Sequence, residues 1–342
     1  MAQNVHLPNF SSLPGCRLVA LAEKRKLLRE TVAGKYGIGR TYEHHSDLAS
    51  DPEIDAVAVS ADYTGQGEIA ADLLRAGKHV FMEKPMAVSL HQAERILQAA
   101  KSSGARLMIA YMKRFDPGNL FIQDIAQNWR RERTAGSILF VRNHGFGGDW
   151  LSGLEQLMID TGELIERPVP AHLPEWLPAP FQKAYIEYLQ QYSHNINLLR
   201  FLLDVHRVDE IEVESVNLDP DGFTGIVVLR MAGVRCVVES AKSDFHGWDE
   251  HTQVYFERGW LKVVSQPLLS RSAYSQVEIY QHGSVPEYRY PSPAPIPTWC
   301  YREEAKHFIE SLQNKTPFRS SGEDTFADVW IMEQIYKAFV GI

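Results

Sequence analysis

Short apolar runs without polar alternation punctuate the first third of the chain, and a segment of helical periodicity follows nearly every one. Residues 17–22, 55–60, 79–82 and 106–110 read as strands. Residues 24–35, 67–76 and 90–102 read as helices, closed by Gly37, Gly77 and Gly104. Strands apolar on both faces and separated by helices belong to a parallel sheet covered on both sides. The pattern predicts a Rossmann-like, doubly wound α/β domain over residues 1–117.

The pattern changes after Asp116-Pro117-Gly118. One helix follows, then strand-like segments rich in β-branched and aromatic residues at 137–143, 210–217, 225–231, 234–240, 252–256, 260–264 and 276–280. Consecutive strands joined by turns such as Asp219-Pro220-Asp221-Gly222 predict an open, largely antiparallel sheet. Helices at 181–203, 301–313 and 324–339 are expected to cover one of its faces, which gives an α+β domain over residues 118–342.

Composition narrows the partners. A formal net charge of -8 disfavours nucleic acid, which needs a basic face. No apolar run approaches the roughly 20 residues of a membrane span. The N-terminus has neither a basic nor an apolar signal region, so a secretory signal is not expected. Cys16, Cys236 and Cys300 stand far apart with no Cys-x-x-Cys pair. They fit a reducing cytoplasm, and no metal site is expected. A small-molecule substrate remains as the expected partner.

The most informative string is Gly77-Lys78-His79-Val80-Phe81-Met82-Glu83-Lys84-Pro85-Met86. It resembles the signature of the glucose–fructose oxidoreductase / inositol dehydrogenase / MocA family, in which a parallel strand ends in Glu-Lys-Pro. Residues 51–60, the crossover Lys113-Arg114-Phe115-Asp116-Pro117, the helix motif Ser193-His194-Asn195-Ile196-Asn197 and residues 317–331 agree with it in order. The resemblance implies an NAD(P)-dependent oxidoreductase acting on a sugar, a cyclitol or a similar hydroxyl or carbonyl compound, and a homo-oligomer built through the second domain's sheet.

It also implies roles. Lys84, at a strand end where open parallel sheets bind ligands, polarises a substrate oxygen or relays a proton. The competing reading is a strand-end cap paired with Glu83. His194 would handle the proton that accompanies hydride transfer, or be structural. Glu23, Arg25, Ser60, Glu83, Lys84 and Arg114 are the cofactor-side candidates. Glu23 suits the adenosine ribose of NAD, and Lys24 and Arg25 leave NADP open. Tyr111, Tyr192, Asn197 and His144 are the substrate-side candidates, with packing as their alternative. Trp150, His246 and Trp248 are weaker ones.

The sequence departs from the family pattern in two respects. The family's Asp-x-Gly-x-His-x-x-Asp reads Gln190, Tyr192, His194 and Asn197 here, so two carboxylates have become amides that cannot take a proton. Residues 61–66 carry Ala61, Asp62, Tyr63 and Gln66 in place of the usual nicotinamide-side loop. Residues 18–23 match the family's second strand and its acid, and residues 4–10 look like the end of its first helix, so the first strand and its glycine-rich loop are expected to be absent. Gly37-Ile38-Gly39 comes after a helix, and Gly65-Gln66-Gly67 follows a strand and opens a helix but only after four loop residues, Ala61 to Thr64, where the phosphate fingerprint needs its turn directly after the strand. A non-redox lyase, hydrolase or binding subunit on the same scaffold is therefore the alternative function.

Overall fold

The structure is a computed structural model that describes residues 1–151, 158–165, 172–243, 247–271, 273–294 and 298–342. His246 and the end of the proline-rich connection lie outside the described residues. The chain folds as two units, Met1–Ala110 with Glu155–Glu175 and Glu304–Val329, and Tyr111–Leu154 with Trp176–Glu303 and Trp330–Ile342.

The first unit opens with a helical stretch, Ala2–His6, that runs into α1 (Leu7–Ser12). It continues through β1 (Ala20–Ala22), α2 (Lys26–Tyr36), β2 (Arg40–Tyr42), α3 (His45–Ser50), β3 (Ala56–Val59), α4 (Gln66–Arg75), β4 (His79–Glu83), α5 (Leu90–Ser103) and β5 (Leu107–Ala110). All strand pairs in it are parallel, as the unbroken apolar runs predict. The sheet comes in two pieces, β1–β2 and β3–β4–β5. Among the described residues no strand precedes β1, and the edge strand β3 leaves Ala58 exposed while β4 is buried almost throughout. Helix ends follow their chemistry. Gly37 and Gly104 close α2 and α5 in left-handed conformation, and Ser89 caps α5 by accepting from the Gln92 amide.

The second unit contains α6 (Pro117–Glu132), β6 (Ile138–Gly148), α7 (Gln182–Leu203), β7 (Ile211–Leu218), β8 (Gly225–Met231), β9 (Val234–Ser240), β10 (Trp248–Phe256), β11 (Gly259–Val264), β12 (Gln276–Gln281) and β13 (Glu287–Arg289). The eight strands form one sheet in the order β13-β12-β11-β10-β6-β9-β8-β7, antiparallel except where β6 runs parallel to β9. Burial alternates along most strands, so one face is core and the other meets solvent. On the core face Trp129 of α6 stacks edge-on against Phe256, and α7 inserts Tyr188 and Tyr192 against Phe223. On the outer face the register aligns Phe140, Tyr255, Trp260, Tyr280 and Tyr288 in one row across five strands. Such cross-strand aromatic pairs stabilise a sheet beyond its ladder.

The last two helices correct the sequence reading. α8 (Cys300–Asn314) and α9 (Gly322–Val340) were expected to cover the second sheet, but residues 304–329 pack in the first unit. Phe308 and Phe318 stack there, and Phe308 meets Phe81 of β4 and Phe10 of α1. Ser320 adds a backbone bond to Ile109, and its hydroxyl donates to the Ile109 carbonyl. Only from Trp330 onward does α9 join the second unit, where Tyr336 packs on Tyr185 and Tyr188 and donates to the Gly222 carbonyl.

Gly225 begins β8 at φ +149°, and a Cβ there would stand 2.2 Å from the Asn217 carbonyl oxygen. Gly225→Ala should therefore destabilise the protein by about 1–3 kcal/mol through backbone strain and displacement of β7. Urea denaturation of the variant measures it.

Candidate functional site

In the first unit the candidate residues gather at the carboxyl ends of the parallel strands. The register sets Val59 opposite Met82, which places Ser60 beside Glu83 and Lys84. Lys84 is half-buried and precedes Pro85 through a cis peptide bond. Gln66, in the first turn of α4, donates its amide to the carbonyls of Glu83 (2.8 Å) and Pro85 (2.9 Å). This position departs from the family pattern, and its side chain stitches α4 to the strand-end turn. Gly67 does not border an anion site: a Cβ there would meet the Gln92 amide at 2.7 Å, so the glycine allows close packing of α4 on α5.

Beneath Lys84 lies a buried acid–base cluster that the sequence reading missed apart from Glu83. The Glu83 carboxylate meets His6 Nε2 at 2.7 Å. Burial alone would raise the Glu83 pKa, but the His6 hydrogen bond and the charges of His6 and Lys84 hold it below the usual carboxylate range. Glu304 of α8 is fully buried, and among the described residues neither of its oxygens has a hydrogen-bond partner. Burial, reinforced by the charge of Glu83, pushes its carboxyl well above the usual range. The same buried place thus pushes the two carboxyls in opposite directions. The sequence signal for it was Glu304 one turn before Phe308 on the face that α8 buries.

At the other piece of the sheet Glu23 follows β1 directly. Its carboxylate takes both Arg25 Nε and Nη2 at 2.9 Å, and also the Arg25 backbone amide at 3.0 Å. An acid at the end of a parallel strand suits a ribose diol. These residues could hold the two ends of a nicotinamide dinucleotide, Glu23 the adenosine ribose and Ser60 with Lys84 the nicotinamide side. For the pyrophosphate, residues 2–12 are helical and supply no glycine turn.

In the second unit Tyr111 and His194 stand edge to face with ring centroids 5.9 Å apart. Arg114, 1% exposed, donates from Nε to Asn197 Oδ1 at 2.7 Å and lies over the Phe201 ring. These two candidates are brought together, but as a packed pair in the core. Tyr192 is fully buried. Its hydroxyl donates to the Gly145 carbonyl (2.9 Å) and accepts from the Ala241 amide (2.9 Å), so it ties α7 to the sheet. His144 points to the opposite face from its neighbour Asn143, which bonds to Asn195 of α7. It sits on the outer face between Glu239 (2.6 Å) and Asp249 (3.1 Å), stacked on His251. The strand's alternation thus separates His144 from His194. Trp150 is exposed, and Trp248 donates to Glu250.

Next to His194 lies a buried polar network not anticipated from sequence. Lys113 and Glu250, both under 10% exposed, form an ion pair. Asn195 donates to Glu250 (3.0 Å) and to Asn143 (2.8 Å), and Asn143 donates to Thr252 (2.7 Å). A buried charge is tolerable when it is paired and hydrogen-bonded, and the Glu250 carboxylate is held by Lys113, Asn195 and Trp248. Among the described residues no three His, Cys, Asp or Glu side chains converge as metal ligands.

Comparison with known proteins follows the same division. Residues 1–111 match the sequence model of an oxidoreductase family with an NAD-binding Rossmann fold. The myo-inositol 2-dehydrogenase of Thermotoga maritima is 23% identical, over 94% of this chain and 88% of that protein. The scyllo-inositol 2-dehydrogenase (NAD(+)) of Bacillus subtilis is 32% identical, over 33% of each chain. Among solved structures, the aldose–aldose oxidoreductase of Caulobacter crescentus complexed with glycerol aligns at a TM-score of 0.70 and 23% identity, covering 98% of this chain and 93% of that one. That likeness shows the fold. Over residues 1–111 the chain thus matches the oxidoreductase family whose signature the Glu83-Lys84-Pro85 string resembles.

The raised Glu304 pKa has a sign that can be checked. The folded carboxyl holds its proton above the pH at which the unfolded one loses it. Its contribution to stability is full below the ordinary carboxylate range and declines as pH rises from there. Glu304→Gln should raise the melting temperature by several degrees, on the order of 2–4 °C per kcal/mol regained, at pH 8, and by less at pH 4. Calorimetric melts at the two pH values measure it.

Proposed function

We propose that this protein is a nicotinamide-dependent oxidoreductase that acts on a hydroxyl or carbonyl carbon of a sugar, a cyclitol or a similar polyol. The observation that carries the reading is Lys84 at the carboxyl end of β4, beside Ser60 and over the ionised, immobilised Glu83. The family supports it, and so do the inositol dehydrogenases among the relatives. The cofactor supplies hydride acceptance or donation at the substrate carbon.

The chain's own residues supply the rest. Lys84, as an ammonium, donates a hydrogen bond to the substrate oxygen and stabilises charge that develops there. Glu83 beneath it favours that ammonium, since each lowers the free energy of the other's charged form. Glu23 accepts from the ribose hydroxyls. His194 is the candidate for exchanging the proton that accompanies hydride transfer. Asn197, which accepts from Arg114, holds a position where the family carries a carboxylate, and this favours a second reading, a non-redox member of the same fold.

Titration of the purified protein with NADH and NADPH distinguishes the two readings. Binding of either below millimolar concentration is expected, and none at millimolar would sink the redox reading. With a polyol substrate in hand, Lys84→Ala should lower kcat by about 100-fold or more while the melting temperature holds.

The reading includes self-association of two copies through the outer face of the eight-stranded sheet, where the aromatic row of Phe140, Tyr255, Trp260 and Tyr280 is only half-buried. Light scattering should give at least twice the 38.8 kDa chain mass, and a Trp260→Lys/Tyr280→Lys variant should reduce it to the monomer. A monomeric wild type would refute the interface. The three cysteines without disulfides support a reducing cytoplasm as its place of action. Among the described residues no helix is long and apolar enough to cross a membrane.

A further inference from the structure

Helix α2 starts without a cap of its own. Arg25 at the N-cap gives no side-chain bond, and no acid lies in the first turn. Its amides are instead taken by a distant residue. Glu163 accepts from Leu27 N (3.0 Å) through Oε1 and from Leu28 N (2.9 Å) through Oε2, and Thr161 donates to the same Oε2 at 2.7 Å. The segment is anchored by a reciprocal pair between the Gln3 amide and the backbone of Ile159, at 3.0 and 2.9 Å. Asp160 accepts from Gly162 N and so folds the turn that presents Glu163.

These groups surround the place where the two nicotinamide dinucleotides differ. Glu23 is the ribose acid, and a 2′-phosphate on that ribose would need a cation and open backbone amides near it. Arg25 is the adjacent cation. It is held by Glu23 on two nitrogens and lies in the fields of Asp160 and Glu163. The adjacent amides are those of α2, already filled by a carboxylate in a bidentate grip. The helix dipole, which would favour a phosphate there, is spent on Glu163.

We propose that Glu163 is a specificity-determining residue: it occupies the anion position at the N-terminus of α2 and excludes a 2′-phosphate, so that the protein takes NAD(H) rather than NADP(H). This rests on the dinucleotide reading of the site. Glu23, Asp160 and Glu163 all bear on the Arg25 guanidinium, so the adjacent cation that would draw a 2′-phosphate is already neutralised.

The test uses calorimetric titration of the full chain with NADH, NADPH, 5′-AMP and 2′-AMP. The two mononucleotides probe the β1–α2 end alone. The wild type should bind NADH more tightly than NADPH. Glu163→Gln and Glu163→Ala should tighten 2′-AMP and NADPH on the order of tenfold, the effect of removing one nearby charge in a partly solvated site, and leave 5′-AMP and NADH within about twofold. Circular dichroism checks that both variants keep their helix content. Unchanged 2′-AMP and NADPH affinities in either folded variant, or a wild type that prefers NADPH, would overturn the proposal. A wild type that binds neither dinucleotide would sink the oxidoreductase reading. The 2′-AMP comparison would still decide the role of Glu163.

Discussion

A carboxylate buried at the end of a parallel strand is costly, and much of the first unit is arranged to hold one there. Glu83 is kept ionised by His6 from the N-terminal helix and by Lys84 next to it. Its carbonyl is claimed by Gln66 of α4. Burial, reinforced by the charge of Glu83, holds the Glu304 carboxyl of α8 well above the usual carboxylate range. The aromatic ring set of Phe10, Phe81 and Phe308 excludes water from the same place. Three elements far apart in sequence thus converge on one strand end. What they fix is the base of Lys84, so that the ammonium is presented from a backbone that cannot drift.

The elements were legible where the hydrophobic period is long enough to be unambiguous. β8 and β9 stand where the alternation puts them, and α5 and α6 start at the side-chain caps Ser89 and Asp116. β2, of three residues, and α3, of six, are too short for any period to show. β13 hides in an exposed stretch where Tyr288 reads as loop. α8 was recognised as a helix but assigned to the wrong sheet. Periodicity reveals that a face is buried and says nothing about what buries it. Its destination is set by Phe308 finding Phe81, a contact across 227 positions that no local pattern encodes.

The site shows the same limit more sharply. Lys84 and Glu83 were visible because a motif marks them. His6 and Glu304 were not, since each acquires its chemistry only from burial against residues distant in the chain. Conversely, Tyr192 and Asn197 on α7 and Arg114 in the crossover motif look functional by type, and each makes a bond within the core of the second unit. A donor on a buried helix must satisfy itself somewhere, and the backbone of a neighbouring strand is the commonest place. Side-chain identity therefore separates neither role. For His144 the strand period decides its surroundings: β6 turns it to the outer face, where it meets Glu239 and Asp249.

The start of α2 shows how a structural requirement can acquire a functional consequence. A helix whose own first turn offers no acceptor must satisfy its leading amides from elsewhere. Here the acceptor is a carboxylate 135 positions away, on a turn tied down by Thr161 and Gln3. A hydroxyl or an amide acceptor would satisfy those amides equally well. A carboxylate does more, since it brings a full negative charge to the positive end of the helix and to Arg25. That charge neutralises the features that would attract a phosphate at this end of the sheet, while a ribose diol, which needs only the acceptor oxygens of Glu23, is unaffected. Stability of α2 and discrimination at the adenosine end are then two effects of one side chain, and the second follows from the choice of an ionised acceptor over a neutral one.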